Sequence, residues 1–416
     1  MPSVLPDGEP APADGALPGA ALAELQMAPF GVYAHVPYCT TRCGYCDFNT
    51  YTAFELGGPD APPGADRATW AEAALAELDL ARRVLTGAGT APPPASTVFF
   101  GGGTPTLLPP ADLGRVVAGV RDRFGLAPDA EVTTEGNPET LDPRTLDGLL
   151  EAGCNRLSVG MQAVAPHVLA TLDRRHTPGR AALVVAQAHT AGFASVSVDL
   201  IYGTPGETPG DLDAALAAAV DCGADHVSAY ALIVEDGTRL AARIARGELA
   251  MPDDDVLADR YEQVDRTLSG AGFAWYEVSN WARTPADRCR HNLLYWTGGS
   301  WWGVGPGAHS HVGGVRWWNR KHPAAWARAL AAGRTPAQAR EVLDADARHA
   351  ERVLLELRLA AGLDRSVLAP AEAAVAARGL GDGLLDPADY TAGRLVPTAR
   401  GRLLADGLVA DILAAA

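Results

Sequence analysis

Residues 31–48 read "GVYAHVPYCTTRCGYCDF", a short β-prone run that delivers Cys39, Cys43 and Cys46 onto the loop following it. Three thiols spaced C-x3-C-x2-C select a soft metal: zinc, copper(I) or an iron–sulfur cluster. A closed site asks for four ligands, and the stretch supplies three. The remaining cysteines, Cys154, Cys222 and Cys289, stand apart in core-like or loop sequence, with no second pair at zinc-finger spacing. Pattern alone leaves a zinc site open.

Working outward, the run at 31–36 is the first of six. "STVFFGG" (96–102), "AEVTTEGN" (130–137), "NRLSVGMQ" (155–162), "SVSVDLIYG" (195–203) and "DHVSAYALI" (225–233) follow, separated by Ala- and Leu-rich helical segments such as "TWAEAALAELDLARRVL". Strand and helix in alternation predict an α/β fold with a parallel sheet and right-handed crossovers. Periodicity does not choose between a doubly wound sheet and a barrel. Cys39, Gly103, Glu135, Gln162 and Asp199 all fall near the C-terminal end of a predicted strand, the edge on which both architectures assemble their sites.

The chain of 416 residues, 48% hydrophobic, is long enough for one large core and a smaller module. A net charge of −16 without basic runs argues against nucleic acid as a partner. The cysteine pattern is not a disulfide framework and predicts a reducing cytoplasm. Residues 1–28, rich in Ala, Pro and Gly, read as a disordered lead-in rather than a secretory signal. No apolar run reaches the roughly 18 to 20 residues that span a bilayer, so any membrane contact would be peripheral. The catalytic-size unit is expected over 29–250, and a connecting region over 251–340 holds "HNLLYW" and a Trp- and Gly-rich segment. A helical, winged-helix-like module is expected over 341–416; without a basic face, it reads as a lid or packing module.

The cysteine spacing resembles that of the radical S-adenosylmethionine (SAM) superfamily. The resemblance implies a partial (β/α)6 barrel in which three cysteines hold three irons of a [4Fe–4S] cluster. SAM chelates the fourth iron and is cleaved to methionine and a 5′-deoxyadenosyl radical. It also implies that Gly102, Gly103 and Thr104 of "FFGGGTPT" hold the ammonium end of SAM, and that Arg174 pairs with its carboxylate. Glu135, Gln162 and Asp199 would then contact ammonium and ribose, Tyr45 would cover the cluster and adenine, and Ile201 and Ala231 would border adenine. Tyr33 and His35, on the first strand, would lean toward cluster or substrate. These residues, in order over about 29–405, resemble the coproporphyrinogen III oxidase branch.

Within that branch the oxygen-independent oxidases decarboxylate two propionates and carry a further cysteine two places after the third. Phe48 stands at that place here. "CDFN", "HNLLYW" (291–296) and "GVGPGAHS" (303–310) resemble instead the HemW group of heme chaperones. That resemblance implies heme as ligand and recipient apo-hemoproteins, such as respiratory cytochromes, as partners. His291 is the candidate heme contact, with His309 and His311 in reserve. The alternatives are porphyrinogen oxidation or another radical reaction on a tetrapyrrole.

Overall fold

The computed structural model describes residues 5–58, 64–87, 89 and 91–415. Six strands carry the centre of the fold: β1 Phe30–Val36, β2 Ala95–Gly102, β3 Leu126–Gly136, β4 Arg156–Gln162, β5 Ser195–Tyr202 and β6 His226–Ala231. Each pairs in parallel with the next, in chain order. A doubly wound sheet reverses its strand order at a switch point. This one does not, so the winding is that of a barrel. The full sheet of 12 strands runs in one open order without its two end strands pairing, and the barrel is therefore partial.

The strands are buried on both faces, with a strict division of labour. On β1, Phe30, Val32, Ala34 and Val36 are fully buried against the helices, while Gly31, Tyr33 and His35 face the other way. The same period of two puts Leu157 and Val159 of β4, and Val196, Val198 and Leu200 of β5, in the apolar core. Their neighbours Arg156, Ser158 and Asp199 face the interior cavity. The outer helices bury complementary stripes. In the helix Arg67–Leu85, Trp70, Ala74, Leu78 and Ala81 recur at helical spacing, and the Asp66 side chain caps the Thr69 N–H at 2.9 Å.

The region expected as a connector is part of the sheet. β7 (Ala274–Glu277) and β8 (Asn280–Ala282) extend it beyond β6, while β9 (Ser300–Val304), β10 (His309–Val312), β11 (Val315–Asn319) and β12 (Ala337–Val342) extend it beyond β1. β9 joins β1 in parallel and the outer strands are antiparallel. Trp302 and Trp317 pack edge to face at 4.8 Å in this flank.

The lead-in also departs from its expected disorder. Residues 1–4 lie outside the described residues, but the helix Gly19–Leu25 buries Ala21, Leu22 and Leu25 in the main core. Glu9 exchanges backbone hydrogen bonds with Arg340 of β12, both 2.9 Å. Three apolar side chains and an edge strand suffice to order a Pro-rich segment that composition alone marks as loose.

Beyond Ala345 a mainly helical module builds its own small core around Val353, Leu357, Val375, Leu385, Leu408 and Ile412, with a two-stranded ribbon of β13 (Leu363–Asp364) and β14 (Arg394–Leu395). Arg402 docks it on the barrel by two bonds to Asp265, 2.9 and 2.7 Å. Among the described residues no helix is long and apolar enough to cross a membrane.

Candidate functional site

A cavity of about 530 Å³ opens at the C-terminal ends of the parallel strands, and the cysteine loop forms one wall of it. The loop is clamped from both sides. Gly44 donates to Leu172 O and accepts from Leu240 N–H, each at 2.9 Å, and a Cβ there would stand 2.6 Å from the Asp173 carboxylate. Cys39 N–H donates to Tyr51 O at 3.0 Å. The following Asn49 ties the loop to the flank of the sheet, its amide donating to Pro306 O and Lys321 O at 2.9 Å each. Thus "CDFN" and "GVGPGAHS", far apart in sequence, meet at one side chain.

The residues that the resemblance singled out converge on this cavity, except Tyr33, His35, His291 and the two reserve histidines His309 and His311. Thr104 Oγ1 lies 3.8 Å from Cys39 Sγ, and Arg174 Nη1 lies 3.7 Å from Cys43 Sγ. Arg174 is held in that pose by a 2.6 Å bond from Nη2 to Gly160 O. Gly102 adopts a φ of +107°, which suits glycine, and a Cβ there would strike the His35 ring at 2.5 Å. Its N–H donates to Glu135 Oε2 at 3.1 Å. Asp199 accepts from Ser158 Oγ at 2.9 Å on both oxygens. Gln162 sits at φ +67° where the β4–β5 register shifts, a bulge that re-aims the side chain at the strand's end.

Electrostatics mark the same residues. Burial, and then the Asp199 carboxylate, push Glu135 up to about 8, against the pull of the Gly102 N–H. Burial also raises Asp199, opposed by hydrogen bonds from Ser158 and Ser228 and by the charges of Arg156 and Arg174. An acid held above its usual range by burial and a like charge is ready to meet a cation. Tyr45 and Ile201 belong to one apolar cluster with Leu169, Leu172, Leu232 and Leu240, and Ile201 pairs with Tyr230 while Tyr202 pairs with Ala231. This gives the cavity a dry side opposite its charged one.

The chemistry of these donors fits a cluster with a chelating ligand. Among the described residues no three His, Cys, Asp or Glu side chains converge on a single ion. A cube needs no such convergence, because each thiolate takes a different iron. The Arg174 Nε is buried without a partner, beside Cys43, where an anionic ligand would complete it. Cys39, Cys43 and Cys46 would hold the cluster, and Arg174 and Glu135 the charged ends of SAM.

The histidines are placed differently from expectation. His291 is buried at 1% exposure, with Nδ1 2.7 Å from Thr97 Oγ1 and Nε2 2.7 Å from Tyr295 OH. Burial lowers it to about 3. To bind iron the ring would have to leave the core and break one of these bonds, so its role here is structural. It stacks on Phe99, with ring centroids 5.2 Å apart, and Phe99 lines the cavity. His311 is likewise used up, by Gly299 O at 2.8 Å and Gly314 N–H at 3.1 Å. His309 alone of the three is exposed, stacked on Trp318. Tyr33 stands behind Phe99 and bonds His35 at 3.0 Å, so it backs the cavity rather than lining it.

Sequence reasoning missed Arg156, Ser158, Asn49 and Glu77. The first two were within reach: on "NRLSVGMQ", counting back in twos from Gln162 lands on Gly160, Ser158 and Arg156, the cavity face of β4. Glu77 and Asn49 carry no local signal for these ties, since the donors to Glu77 and the acceptors of the Asn49 amide lie more than 220 residues away.

Comparison with known proteins agrees with this geometry. Residues 33–219 match the model of the radical SAM superfamily. The heme chaperone HemW of Mycobacterium tuberculosis is 56% identical over 397 residues, 95% of this chain and 97% of that one. HemW of Escherichia coli is 35% identical over 288 residues, covering 69% and 71%. Among solved structures, coproporphyrinogen III oxidase (HemN) from Escherichia coli, a radical SAM enzyme, superimposes with a TM-score of 0.77 over 96% of this chain and 94% of its own. At 22% identity that likeness establishes the fold.

Proposed function

The chain belongs to the radical SAM superfamily and, within it, to the family of HemW heme chaperones, and on that premise we propose that it binds heme and passes it to apoproteins such as respiratory cytochromes. The observation that carries the proposal is Phe48. It lines the mouth of the cavity with its side chain 57% exposed, where the resembling oxidases have a further cysteine. An apolar ring offers no thiol to the chemistry inside and a flat surface to a tetrapyrrole. Ile233, 68% exposed, adds to the same rim.

When bound, the cluster supplies an electron that can cleave SAM. The chain's own residues bind and orient. The Arg174 fork would take the SAM carboxylate and the Gly102–Thr104 turn its ammonium, and Glu135, Gln162 and Asp199 would share the ammonium and the ribose hydroxyls. Tyr45, Ile201 and Ala231 keep water from the adenine side. Heme delivery in a reducing cytoplasm, with peripheral contact at the membrane where recipients reside, completes the reading.

The test is anaerobic reconstitution followed by parallel assays. Stoichiometric heme binding, followed by release to an apocytochrome without change to the tetrapyrrole, is the expected result. Catalytic decarboxylation of coproporphyrinogen III would reject it in favour of the oxidase.

A further inference from the structure

The inner end of the cavity, away from the cysteine loop, carries a cation that none of the roles above employs. Arg156 is only 4% exposed, lines the cavity, and has Nε and Nη2 buried without a partner. The side chains next to it in register are equally unsatisfied: Thr133 on β3 and Ser195 on β5 are its Cα partners, and both hydroxyls are buried and unpartnered. Buried polar groups are nearly always paired, and a row of three such residues across adjacent strands is a strong exception.

The neighbouring acids do not account for it. Glu131 is occupied by Arg290 N–H at 2.9 Å, His291 N–H at 3.1 Å and the Cys289 thiol at 3.8 Å. Asp199 is occupied by Ser158. Both carboxylates act on Arg156 through space, yet among the described residues neither makes an ion pair with it. The wall beside it is fixed as well. His226 is bound to Ser197 Oγ and Tyr276 OH at 2.8 Å each, and Tyr276 OH accepts from Cys289 N–H at 3.1 Å. The donor left to face the cavity is the guanidinium, whose fork suits the two oxygens of a carboxylate, with the two unpartnered hydroxyls beside it in register.

We propose that Arg156, flanked by Thr133 and Ser195, forms a carboxylate subsite at the floor of the cavity, and that it pairs with a propionate of the bound tetrapyrrole. This rests on the heme-binding reading and assigns it a specificity-determining residue. The Arg156 guanidinium acts as counter-ion, and no bond is made or broken.

The test compares heme with its dimethyl ester, in which both propionates are neutral, by equilibrium titration of the Soret band. The reconstituted wild-type protein is expected to prefer heme by on the order of 10- to 100-fold, the worth of one charge-assisted pair. Arg156→Met is expected to bind heme and ester alike, and Arg156→Lys to keep part of the preference. Equal binding of heme and ester by the wild type overturns the subsite, leaving the row as a place for water only. A preference that survives in Arg156→Met also overturns it. The wild-type comparison holds even where a variant does not fold. If the wild type binds neither pigment, the heme reading itself fails and the subsite falls with it.

Discussion

Two glutamates, one on either side of the sheet, the first fully buried and the second half-buried in the cavity, face opposite fates. Glu77 is fully buried and accepts three hydrogen bonds: from Gly305 N–H at 2.8 Å, Asn319 Nδ2 at 2.7 Å and Trp326 Nε1 at 2.7 Å. Glu135 accepts one, from Gly102, and looks across the cavity at another carboxylate. Burial raises both, to about 7 and about 8. Glu77 is finished structure, a knot joining the helix Arg67–Leu85 to the Trp-rich flank. Glu135 lacks a counterpart that the protein does not itself provide. A raised acid marks burial, and only its unfilled valence for partners marks a site.

The largest effect separates the two regions outright. Replacing Cys39, Cys43 or Cys46 by Ser should abolish the reconstituted cluster's visible absorbance. The same change at Cys154, Cys222 or Cys289 should leave it, and loss there would reassign the ligands. Next, Glu77→Ala leaves three buried donors without an acceptor. It should cost about 3 to 4 kcal/mol in urea denaturation of the cluster-free protein, with SAM affinity intact wherever the protein remains folded. Glu135→Gln should do the reverse, weakening SAM binding in the reconstituted protein about 10-fold or more while raising the stability of the cluster-free protein near neutral pH, where the buried carboxyl's tendency to ionise already costs stability.

The pH dependence sharpens the same contrast. The ordinary glutamate value is about 4.3, and in the folded chain Glu135 sits at about 8. Between those values the folded state holds a proton that the unfolded state has released, so stability declines as pH rises. Glu135's share is full below about 4.3 and lost through about 8. Glu135→Gln should flatten the decline in that window for the cluster-free protein, as read from denaturation midpoints at successive pH values; an unchanged slope would mean that Glu135 is solvated. The smallest effect is at the rim. Phe48→Ala should alter stability by less than about 0.5 kcal/mol but weaken heme binding several-fold by Soret titration.

The parallel half of the fold was legible because strands buried on both faces, such as "STVFFGG" and "SVSVDLIYG", read as nearly continuous β-prone runs. The flanks were not. "HSHV" and "VRWWN" bury Ser310, His311 and Asn319, and Asn319 does so by reaching Glu77, 242 residues away in the chain. The candidate ligand-facing residues came from a resemblance, and most of them line one cavity. His291 shows where that reasoning stops. A motif places a histidine beside aromatic rings, but whether its nitrogens are free depends on Thr97 and Tyr295, and here both are taken. Arg156 escaped for the opposite reason: charge usually means surface, and its burial depends on a row of three strands that only the folded sheet defines.

The Asn49 tie has a consequence for how the protein is made. Synthesis proceeds from the N-terminus, so residues 39–48 leave the ribosome hundreds of residues before Pro306 and Lys321, whose carbonyls fix the loop. β1 likewise waits for β9 to cover its outer edge. A nascent chain therefore exposes three thiols early but completes the frame around them only in its last third, so the loop's full set of contacts exists only once those later residues have been made.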